Sequence, residues 1–330
     1  RKKILKGEED LKKIFENKNN RKRNYLVGLS GGKDSMYGLH LLKKKYNLNV
    51  IAMTYDWGLT SDIARKNISL ICSKLKIEHI FRSANIKNKR NFIRKNLYAW
   101  LKKPNLGMVP IFFAGDKEFL YFLKKVKHET NSLKSIICSG NQLEEMEFKV
   151  GYCGVNQHLY GNQEMYNYKL SNIFKLLLFY SKNYFLNPKY FNESMIDNLK
   201  AFYYSFFYNH NSLRIYDYIE WDQLEITRTL DQEYGIFKHQ SFGDTQWRVG
   251  DNQTSFTNFI YYTLGGFSEF DNYRSKQIRN GEITRDKALE LAKKENNLDF
   301  KIKAIENFCN LIGVNTEEIL IEINKIPKLY

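Results

Sequence analysis

The stretch that decides the fold is Tyr25-Leu-Val-Gly-Leu-Ser-Gly-Gly-Lys-Asp-Ser35. Its apolar first half is typical of a short buried strand, and the residues that follow have apolar side chains at helical spacing. Two adjacent glycines let the backbone turn tightly and approach a ligand closely. A helix that starts there presents unpaired N–H groups and the positive end of its dipole. The stretch therefore predicts a strand, a phosphate-binding loop and a helix.

The side chains of this loop suit a phosphate ligand. The predicted binding residues are Ser30, Gly31, Gly32, Lys33, Asp34 and Ser35. Lys33 supplies a cation, and Asp34 is predicted either to hold Mg²⁺ or to cap the helix. The loop is not a Walker A motif, because three residues rather than four separate Gly28 from Gly32, and an aspartate follows the lysine. A glycine-rich turn without a ligand is the alternative interpretation.

Beyond the loop, the sequence alternates between strand and helix patterns. Buried strands are predicted at residues 25–29, 50–55, 77–81 and 135–138. Apolar residues recur at helical spacing over residues 33–46 and 61–75. Strands that alternate with helices form parallel sheets with right-handed crossovers. The pattern therefore predicts an α/β, Rossmann-like fold.

Aromatic content changes sharply along the chain. Residues 160–208 hold 16 of the 50 aromatic residues, and we expect helices there, with aromatic faces packed in a second layer or against a partner. Base stacking is an alternative use of such rings. Short helices are predicted over residues 284–330, with Thr284 as an N-cap. We expect three parts: a basic helical segment (1–24), an α/β core (25–158) and an aromatic-rich, mainly helical region (159–330).

The charge is positive and uneven. Lys and Arg exceed Asp and Glu by 52 − 36 = 16. Residues 1–23 have a net charge of +6, and residues 82–103 hold eight cations and no acid. These segments are interpreted either as solvated helical faces or as an anion-facing surface. The net charge suits RNA, a nucleotide or an acidic sugar equally, so it names no partner.

Cysteine content and hydropathy exclude some classes of protein. The four cysteines, Cys72, Cys138, Cys153 and Cys309, form no CxxC pair, so a zinc site built from cysteines is not expected. Sparse cysteines predict a reducing, cytoplasmic location. No run approaches the ~18 apolar residues of a membrane-spanning helix. No signal-peptide pattern is found, and the chain begins with Arg1, which suggests a fragment of a longer product.

The hexapeptide Ser30-Gly-Gly-Lys-Asp-Ser35 resembles the SGGxDS signature of the PP-loop ATP pyrophosphatases. The resemblance implies a flavodoxin-like sheet of the adenine nucleotide α-hydrolase type, with the pyrophosphate of ATP in the loop. It also implies that the end of the second strand borders the adenine, which here means Thr54, Tyr55 and Asp56. Ser139, Gly140 and Asn141 follow the fourth strand, at the sheet edge where such folds bind ligands. ATP and Mg²⁺ are the expected cofactors.

Later blocks resemble the N-acetyl sugar amidotransferase family of lipopolysaccharide O-antigen and pseudaminic or legionaminic acid biosynthesis. They cover residues 108–117, 139–145, 247–251 and 274–289. The resemblance implies an ATP-dependent reaction that forms AMP and pyrophosphate and converts the N-acetyl group of a sugar into an acetamidino group. Members of the family usually begin with a cysteine-rich segment, which this sequence lacks. We interpret its absence as trimming or as loss in this lineage.

Several residues receive roles from these blocks. Lys33 and then Lys117 are the expected cations for the developing phosphate charge. Glu144 or Glu145 is expected to take a proton from ammonia, with a surface helix start as the alternative. The expected substrate contacts are Asp116, Arg248, Arg274 and Arg279. For the arginines, ordinary ion pairing with Asp251, Glu269 or Asp271 is the alternative.

The ammonia needs a source, and nothing in the sequence resembles a glutaminase. The resemblance suggests a separate glutaminase subunit, with a cyclase-like barrel partner, and residues 160–208 as a docking surface. A nucleic acid partner is not expected. The strongest rival function is a tRNA-modifying PP-loop enzyme, which the positive charge supports. The missing CxxC argues against thiolation, and the blocks after residue 105 argue against lysidine formation. A nucleotide-binding protein without activity is the second rival.

Overall fold

The computed structural model describes residues 6–16, 24–138, 142–144, 146, 148–155, 169–208, 211–238 and 250–330. Its centre is a five-stranded, fully parallel sheet in the order β3-β2-β1-β4-β5. The strands are β1 (Tyr25–Gly28), β2 (Val50–Asp56), β3 (Glu78–Ser83), β4 (Ser135–Ile137) and β5 (Leu213–Arg214). The predicted parallel α/β fold is confirmed. The two-residue β5 was not predicted, because two residues carry no periodicity.

Fourteen α-helices are found in the described residues, and several have the N-caps that their sequences supply. In the first half they are α1 (Glu8–Glu16), α2 (Lys33–His40), α3 (Asp62–Leu75), α4 (Ile86–Lys102), α5 (Glu118–Glu129) and α6 (Phe148–Gly151). In the second half they are α7 (Leu170–Leu186), α8 (Met195–Phe206), α9 (Gln223–Tyr234), α10 (Thr254–Gly265), α11 (Glu269–Asn280), α12 (Arg285–Asn296), α13 (Leu298–Ile312) and α14 (Thr316–Asn324). The Thr284 hydroxyl caps α12, as predicted.

Alternate residues of β1 and β2 enter two hydrophobic cores on opposite faces of the sheet. Val27 and Ala52 face the core that contains α2, α3 and α9, whereas Leu26 and Met53 face the core that contains α4, α5, α10 and α13. Each core therefore combines residues from both halves of the chain. No described helix has the length and apolarity that crossing a membrane requires.

Candidate functional site at the PP-loop

Gly31 is the residue on which the conformation of the loop depends. Its φ is +77°, in the left-handed region that favours glycine. A Cβ at this position would lie 2.7 to 2.9 Å from backbone and side-chain atoms of Ala64 in the first turn of α3. Both the backbone conformation and the contact therefore require glycine. The loop is thereby held against α3.

The two serines of the loop have different roles. The Ser35 hydroxyl is buried, donates to the Gly32 carbonyl at 3.0 Å and accepts from the Ser30 backbone N–H at 3.2 Å. Ser35 thus stabilises the loop conformation through hydrogen bonds to the loop backbone. Ser30 is exposed, with its hydroxyl 3.0 Å from that of Ser35. Ser30 is the hydroxyl that a ligand in the loop can reach.

Lys33 is a buried cation at the start of α2. Its Nζ lies 3.2 Å from Glu144 Oε1, 3.3 Å from Asp34 Oδ1 and 5.2 Å from the centre of the Trp221 ring. Burial acts to lower the pKa of Lys33, but the two carboxylates outweigh it and raise the pKa above its ordinary value. The ammonium group is therefore fixed in a partly desolvated site, where a cation acts strongly on phosphate charge.

Asp34 connects the loop to the C-terminal half of the chain. Its Oδ1 accepts a 3.0 Å hydrogen bond from the Trp221 indole, and its backbone carbonyl accepts a 2.7 Å bond from the buried Tyr216 hydroxyl. The alternative that Asp34 caps α2 is wrong: the N-cap is Gly32, and no side chain caps the helix. Trp221 and Tyr216 were not predicted as site residues, although Trp221 opens a block rich in polar residues. Tyr216 and Trp221 are 182 and 187 positions away from Asp34 in the sequence, so no local sequence pattern indicates these contacts.

The carboxylates fit a magnesium ion that is shared with phosphate. Mg²⁺ is usually held by one or two protein carboxylates together with phosphate oxygens and water. Asp34 and Glu144 supply two carboxylates on either side of Lys33. In the described part of the chain, no group of three or more His, Cys, Asp or Glu residues forms a metal site by itself. Asp34 and Glu144 are thus the residues that would hold the ion.

The C-terminal half also supports the loop from behind. A Cβ on Gly250 would lie 3.3 Å from the Ser30 carbonyl oxygen, so the two backbones are in close contact. The Gly250 carbonyl accepts from the Ser61 N–H at 3.2 Å, and the Asn252 N–H donates to Leu59 at 3.0 Å. Residues 250–252 therefore brace both the PP-loop and the entry to α3.

The side chains at the end of β2 make internal contacts. The Thr54 hydroxyl donates to the Leu29 carbonyl at 2.6 Å, and the Tyr55 hydroxyl donates to Glu118 at 2.8 Å on the other face of the sheet. Asp56 is fully buried, pairs with Arg65 and accepts from the Gly58 N–H at 2.9 Å. These residues fix the end of the strand beside the loop. Their contact with adenine stays a prediction, and it would involve the backbone more readily than these side chains.

Asp116 and Lys117 lie beside a second polar cluster. They end the 3₁₀ segment Leu106–Lys117, about one-third exposed, with Lys117 Nζ 3.4 Å from Asp116. The preceding Gly115 packs against Lys89 and Asp197, which pair at 2.7 Å. The structure thus groups Asp116 and Lys117 with this cluster. Lys33 is the cation of the phosphate loop, and a phosphate contact by Lys117 stays a prediction.

Arg274 does not face a substrate, which corrects that prediction. It is buried, with Nε 3.0 Å from Glu295, a second bond to the same carboxylate, and Nη1 2.6 Å from Gln277. Its partner is not one of the three expected acids. Asp251 caps α10, Glu269 pairs with Lys149, and Asp271 completes the capping box of α11. Arg279 is exposed at the end of α11.

Five predicted site residues lie outside the described part of the chain. They are Ser139, Gly140, Asn141, Glu145 and Arg248. Of the two predicted proton acceptors, Glu144 lies in the described part of the chain, and its carboxylate pairs with Lys33.

The basic segment 82–103 forms β3 and α4, and part of its charge is neutralised. Arg82 pairs with Glu129, Lys95 pairs with Glu193, and the buried Lys89 pairs with Glu118 and Asp197. Arg90 donates to the Gly58 carbonyl at 2.9 Å. Arg94 donates to the Asn91 side chain at 2.6 Å. At least five of the eight cations thus have protein partners, which favours the interpretation as a helical face over a continuous anion-binding surface.

Two families match the chain. The PP-loop domain matches residues 5–101, and the "LPS biosynthesis protein WbpG-like, C-terminal domain" matches residues 215–328. The first range includes Ser30–Ser35, and the second includes Tyr216 and Trp221. The contacts of Asp34 therefore join the two matched domains.

Solved structures with weak likeness include two synthetases and a tRNA thiolase. The NMN synthetase of Francisella tularensis is 12% identical, with a TM-score of 0.39, over 90% of this chain and 93% of that one. The NH₃-dependent NAD synthetase of Campylobacter jejuni is 16% identical, with a TM-score of 0.29, over 61% and 96%. The U34-tRNA thiolase NcsA of Methanococcus maripaludis is 12% identical, with a TM-score of 0.37, over 97% and 81%. No curated protein sequence matches the chain significantly.

The two family matches and the loop geometry lead to the same conclusion. They indicate an ATP-using enzyme of lipopolysaccharide biosynthesis. A PP-loop domain and the C-terminal domain of WbpG-like lipopolysaccharide biosynthesis proteins thus match two separate parts of one chain, residues 5–101 and residues 215–328.

Proposed function

We propose that the protein is an amidotransferase that converts the N-acetyl group of a bacterial surface sugar into an acetamidino group. The reaction consumes ATP and ammonia and forms AMP and pyrophosphate. The observation that carries the proposal is the buried Lys33 ammonium, which the WbpG-like region holds at the PP-loop through Trp221. Lys33 of the PP-loop and Trp221 of the WbpG-like region are thus neighbours.

The chemistry explains why ATP is needed. An amide carbonyl is a poor electrophile, and its oxygen is a poor leaving group. In the proposed reaction, the carbonyl oxygen of the sugar attacks the α-phosphorus of the substrate ATP and pyrophosphate leaves. Ammonia then adds to the carbon, and the oxygen departs with AMP. The amide oxygen ends in AMP, and an NH group takes its place in the sugar.

The loop supplies charge stabilisation for the departing pyrophosphate. Lys33, the N–H groups at the start of α2 and the exposed Ser30 hydroxyl are donors that are fixed before the reaction. Fixed donors in a water-poor site are usually the largest catalytic contribution where negative charge develops. Mg²⁺, held by Asp34 and Glu144, would neutralise further phosphate charge. Glu144 is also the carboxylate that would accept a proton from the attacking ammonia.

A separate glutaminase subunit, with a cyclase-like barrel partner, is the proposed source of ammonia. The sugar is proposed to be acidic, because the family that the sequence resembles serves pseudaminic or legionaminic acid biosynthesis, and the net charge of +16 is compatible with such a substrate. If so, the isolated chain should use ammonium salts, better at high pH where NH₃ is free, and should not hydrolyse glutamine. Glutamine-dependent activity of the chain alone would contradict this part of the proposal.

The deciding experiment is mass spectrometry of candidate N-acetyl sugars incubated with the protein, ATP, Mg²⁺ and ammonium. The expected product carries NH in place of O and appears together with AMP and pyrophosphate. Incubation with tRNA in place of the sugar tests the rival function. AMP formation that depends on tRNA and on no sugar would overturn the proposal, whereas ATP binding without turnover under any substrate would favour a protein without activity.

A further inference from the structure

The outer surface of α7 is apolar where a surface helix is normally polar. Leu170, Phe174, Leu177, Leu178 and Phe185 are exposed, Leu170 and Phe185 by 78%. At about 100° per residue these five side chains occupy roughly a third of the helix circumference. The opposite side packs on the protein through Ile173 and Leu176. Monomeric soluble proteins rarely leave an apolar stripe of this length uncovered.

The neighbouring helix α8 repeats this arrangement. Ile196, Leu199 and Tyr203 are exposed at spacings of three and four residues, so they form one stripe. The buried residue of α8 is Asp197, which pairs with Lys89 beneath the helix. The helix therefore packs on the protein through Asp197, Phe202 and Phe206 and presents a second set of apolar side chains outward.

The two stripes are continuous. Phe185 near the end of α7 packs against Phe191 in the connection to α8, with ring centres 5.9 Å apart, and both rings are exposed. The Asn198 amide of α8 donates to the Tyr184 hydroxyl of α7 at 2.7 Å, which joins the helices below the surface. We call this continuous surface the α7–α8 face.

Lysines flank the apolar stripes. Lys175 and Lys182 are exposed and seven residues apart on α7, so they lie in one row along the edge of its stripe. Lys200 is exposed beside Leu199 on α8, but its Nζ pairs with Glu118 at 2.9 Å, so the row on α7 supplies the positive edge of the surface. Residues 169–208 contain five lysines and two acids. Both acids are already engaged: Asp197 with Lys89, and Glu193 with Lys95.

This combination favours a lipid surface over the protein partner that the sequence analysis expected at residues 160–208. A second copy of the chain would bring these lysines against one another, and like charges oppose such an interface. Protein interfaces in general are depleted in lysine near their centre. At a lipid surface, by contrast, apolar side chains enter the acyl boundary while neighbouring lysines extend to the headgroups. Anionic headgroups match the positive charge of this face.

We propose that the α7–α8 face binds the surface of an anionic lipid bilayer, with the exposed Leu and Phe side chains inserted and the flanking lysines at the headgroups. The chain then lies on the membrane rather than spanning it. The proposal goes beyond the amidotransferase reaction and does not depend on it.

The test is co-sedimentation of the whole chain with vesicles. Vesicles of equal parts phosphatidylglycerol and phosphatidylcholine should retain at least about tenfold more protein than pure phosphatidylcholine vesicles, since the attraction is partly electrostatic. Phe174→Ser combined with Phe185→Ser, and separately Lys175→Glu combined with Lys182→Glu, should each weaken retention by at least about tenfold. All four side chains are exposed, so the fold should tolerate both variants.

Matched controls replace the same residue types elsewhere on the surface. Leu224→Ser with Leu289→Ser removes two exposed leucines, and Lys293→Glu with Lys303→Glu reverses two exposed lysines. Both should bind as the parent does. Equal binding to neutral and anionic vesicles, no binding to either, or equal loss in the controls would overturn the proposal. So would a lipid-free dimer that the Phe174→Ser, Phe185→Ser variant abolishes, because a second copy would then be the partner.

Discussion

Two buried lysines of this protein differ in what surrounds them. Lys33 lies between Asp34 and Glu144, and its pKa is raised. Lys301 on α13 is also buried, but its Nζ has no hydrogen-bond partner among the described residues and lies 5.9 and 6.0 Å from the rings of Phe270 and Tyr262. Burial lowers the pKa of Lys301 to about 8. Two carboxylates within 3.3 Å therefore raise the pKa of Lys33, whereas burial without such close partners lowers the pKa of Lys301.

Lys33→Ala should have the largest effect on activity. Removal of the cation should reduce AMP formation by about two orders of magnitude or more, the scale of losing one fixed oxyanion donor, and Asp34→Ala should do the same. Pyrophosphate release by purified variants measures the effect, with circular dichroism to confirm the fold. Lys301→Met is the matched control, since it removes a buried lysine away from the loop. Near-normal turnover of a folded Lys33→Ala protein would disprove the assignment of the phosphate loop.

Lys301→Met should stabilise the protein. The lowered pKa means that the unfolded chain binds the proton more tightly than the folded one, so stability rises as pH increases from about 8 to 10.5. Below pH 8 the charged amine costs about 3 kcal/mol, at 1.36 kcal/mol for each pKa unit. Urea unfolding at pH 7 and pH 10 should show a gain for the variant at pH 7 that shrinks at pH 10. Lys303→Met, at an exposed neighbouring position on α13, should leave the free energy of unfolding unchanged at both pH values.

Trp221→Phe should have a smaller effect at the loop. Phenylalanine keeps an aromatic ring near Lys33 but removes the N–H that Asp34 accepts. A hydrogen bond to a charged group contributes about 1.5–3 kcal/mol, so AMP formation should fall by about 10- to 150-fold. The control is Tyr273→Phe, which loses a hydrogen bond to Gln223 instead. Equal activity of Trp221→Phe and the parent would show that the indole contact does not position Asp34.

The smallest effect is expected at the partly exposed cations of α4. Replacing Arg90, Arg94 and Lys95 by Gln should change sugar turnover only a few-fold, because peripheral charges mainly affect encounter. Activity should also depend weakly on salt. A nucleic acid substrate held by ~6 phosphate contacts would instead lose ~10³ in affinity between about 50 and 200 mM salt. A steep salt dependence, with abolished activity of the triple variant, would favour the tRNA reaction.

The features that could be predicted from the sequence are those formed by residues close together in the chain. The PP-loop was predictable because its strand, glycines, lysine and helix are consecutive residues. Glu144, Trp221 and Tyr216 meet the loop only after the chain has folded over more than a hundred positions, and no spacing encodes such a contact. Arg274 was also misassigned, because its partner Glu295 lies on the next helix, 21 positions away, and no sequence pattern indicates this pair. The aromatic segment was predicted to be helical, and the described α7 and α8 confirm it, but the outward orientation of their apolar stripes required the structure.

The hydrogen bonds from Tyr216 and Trp221 to Asp34 have an evolutionary consequence. A PP-loop domain transplanted without its C-terminal companion would lose the two donors that fix its aspartate. Residues that share one hydrogen-bond network show strongly non-additive mutational effects. We therefore expect positions 34 and 221 to co-vary among homologues, because their side chains share a hydrogen bond, whereas Tyr216 donates to a backbone carbonyl that any residue at position 34 would supply.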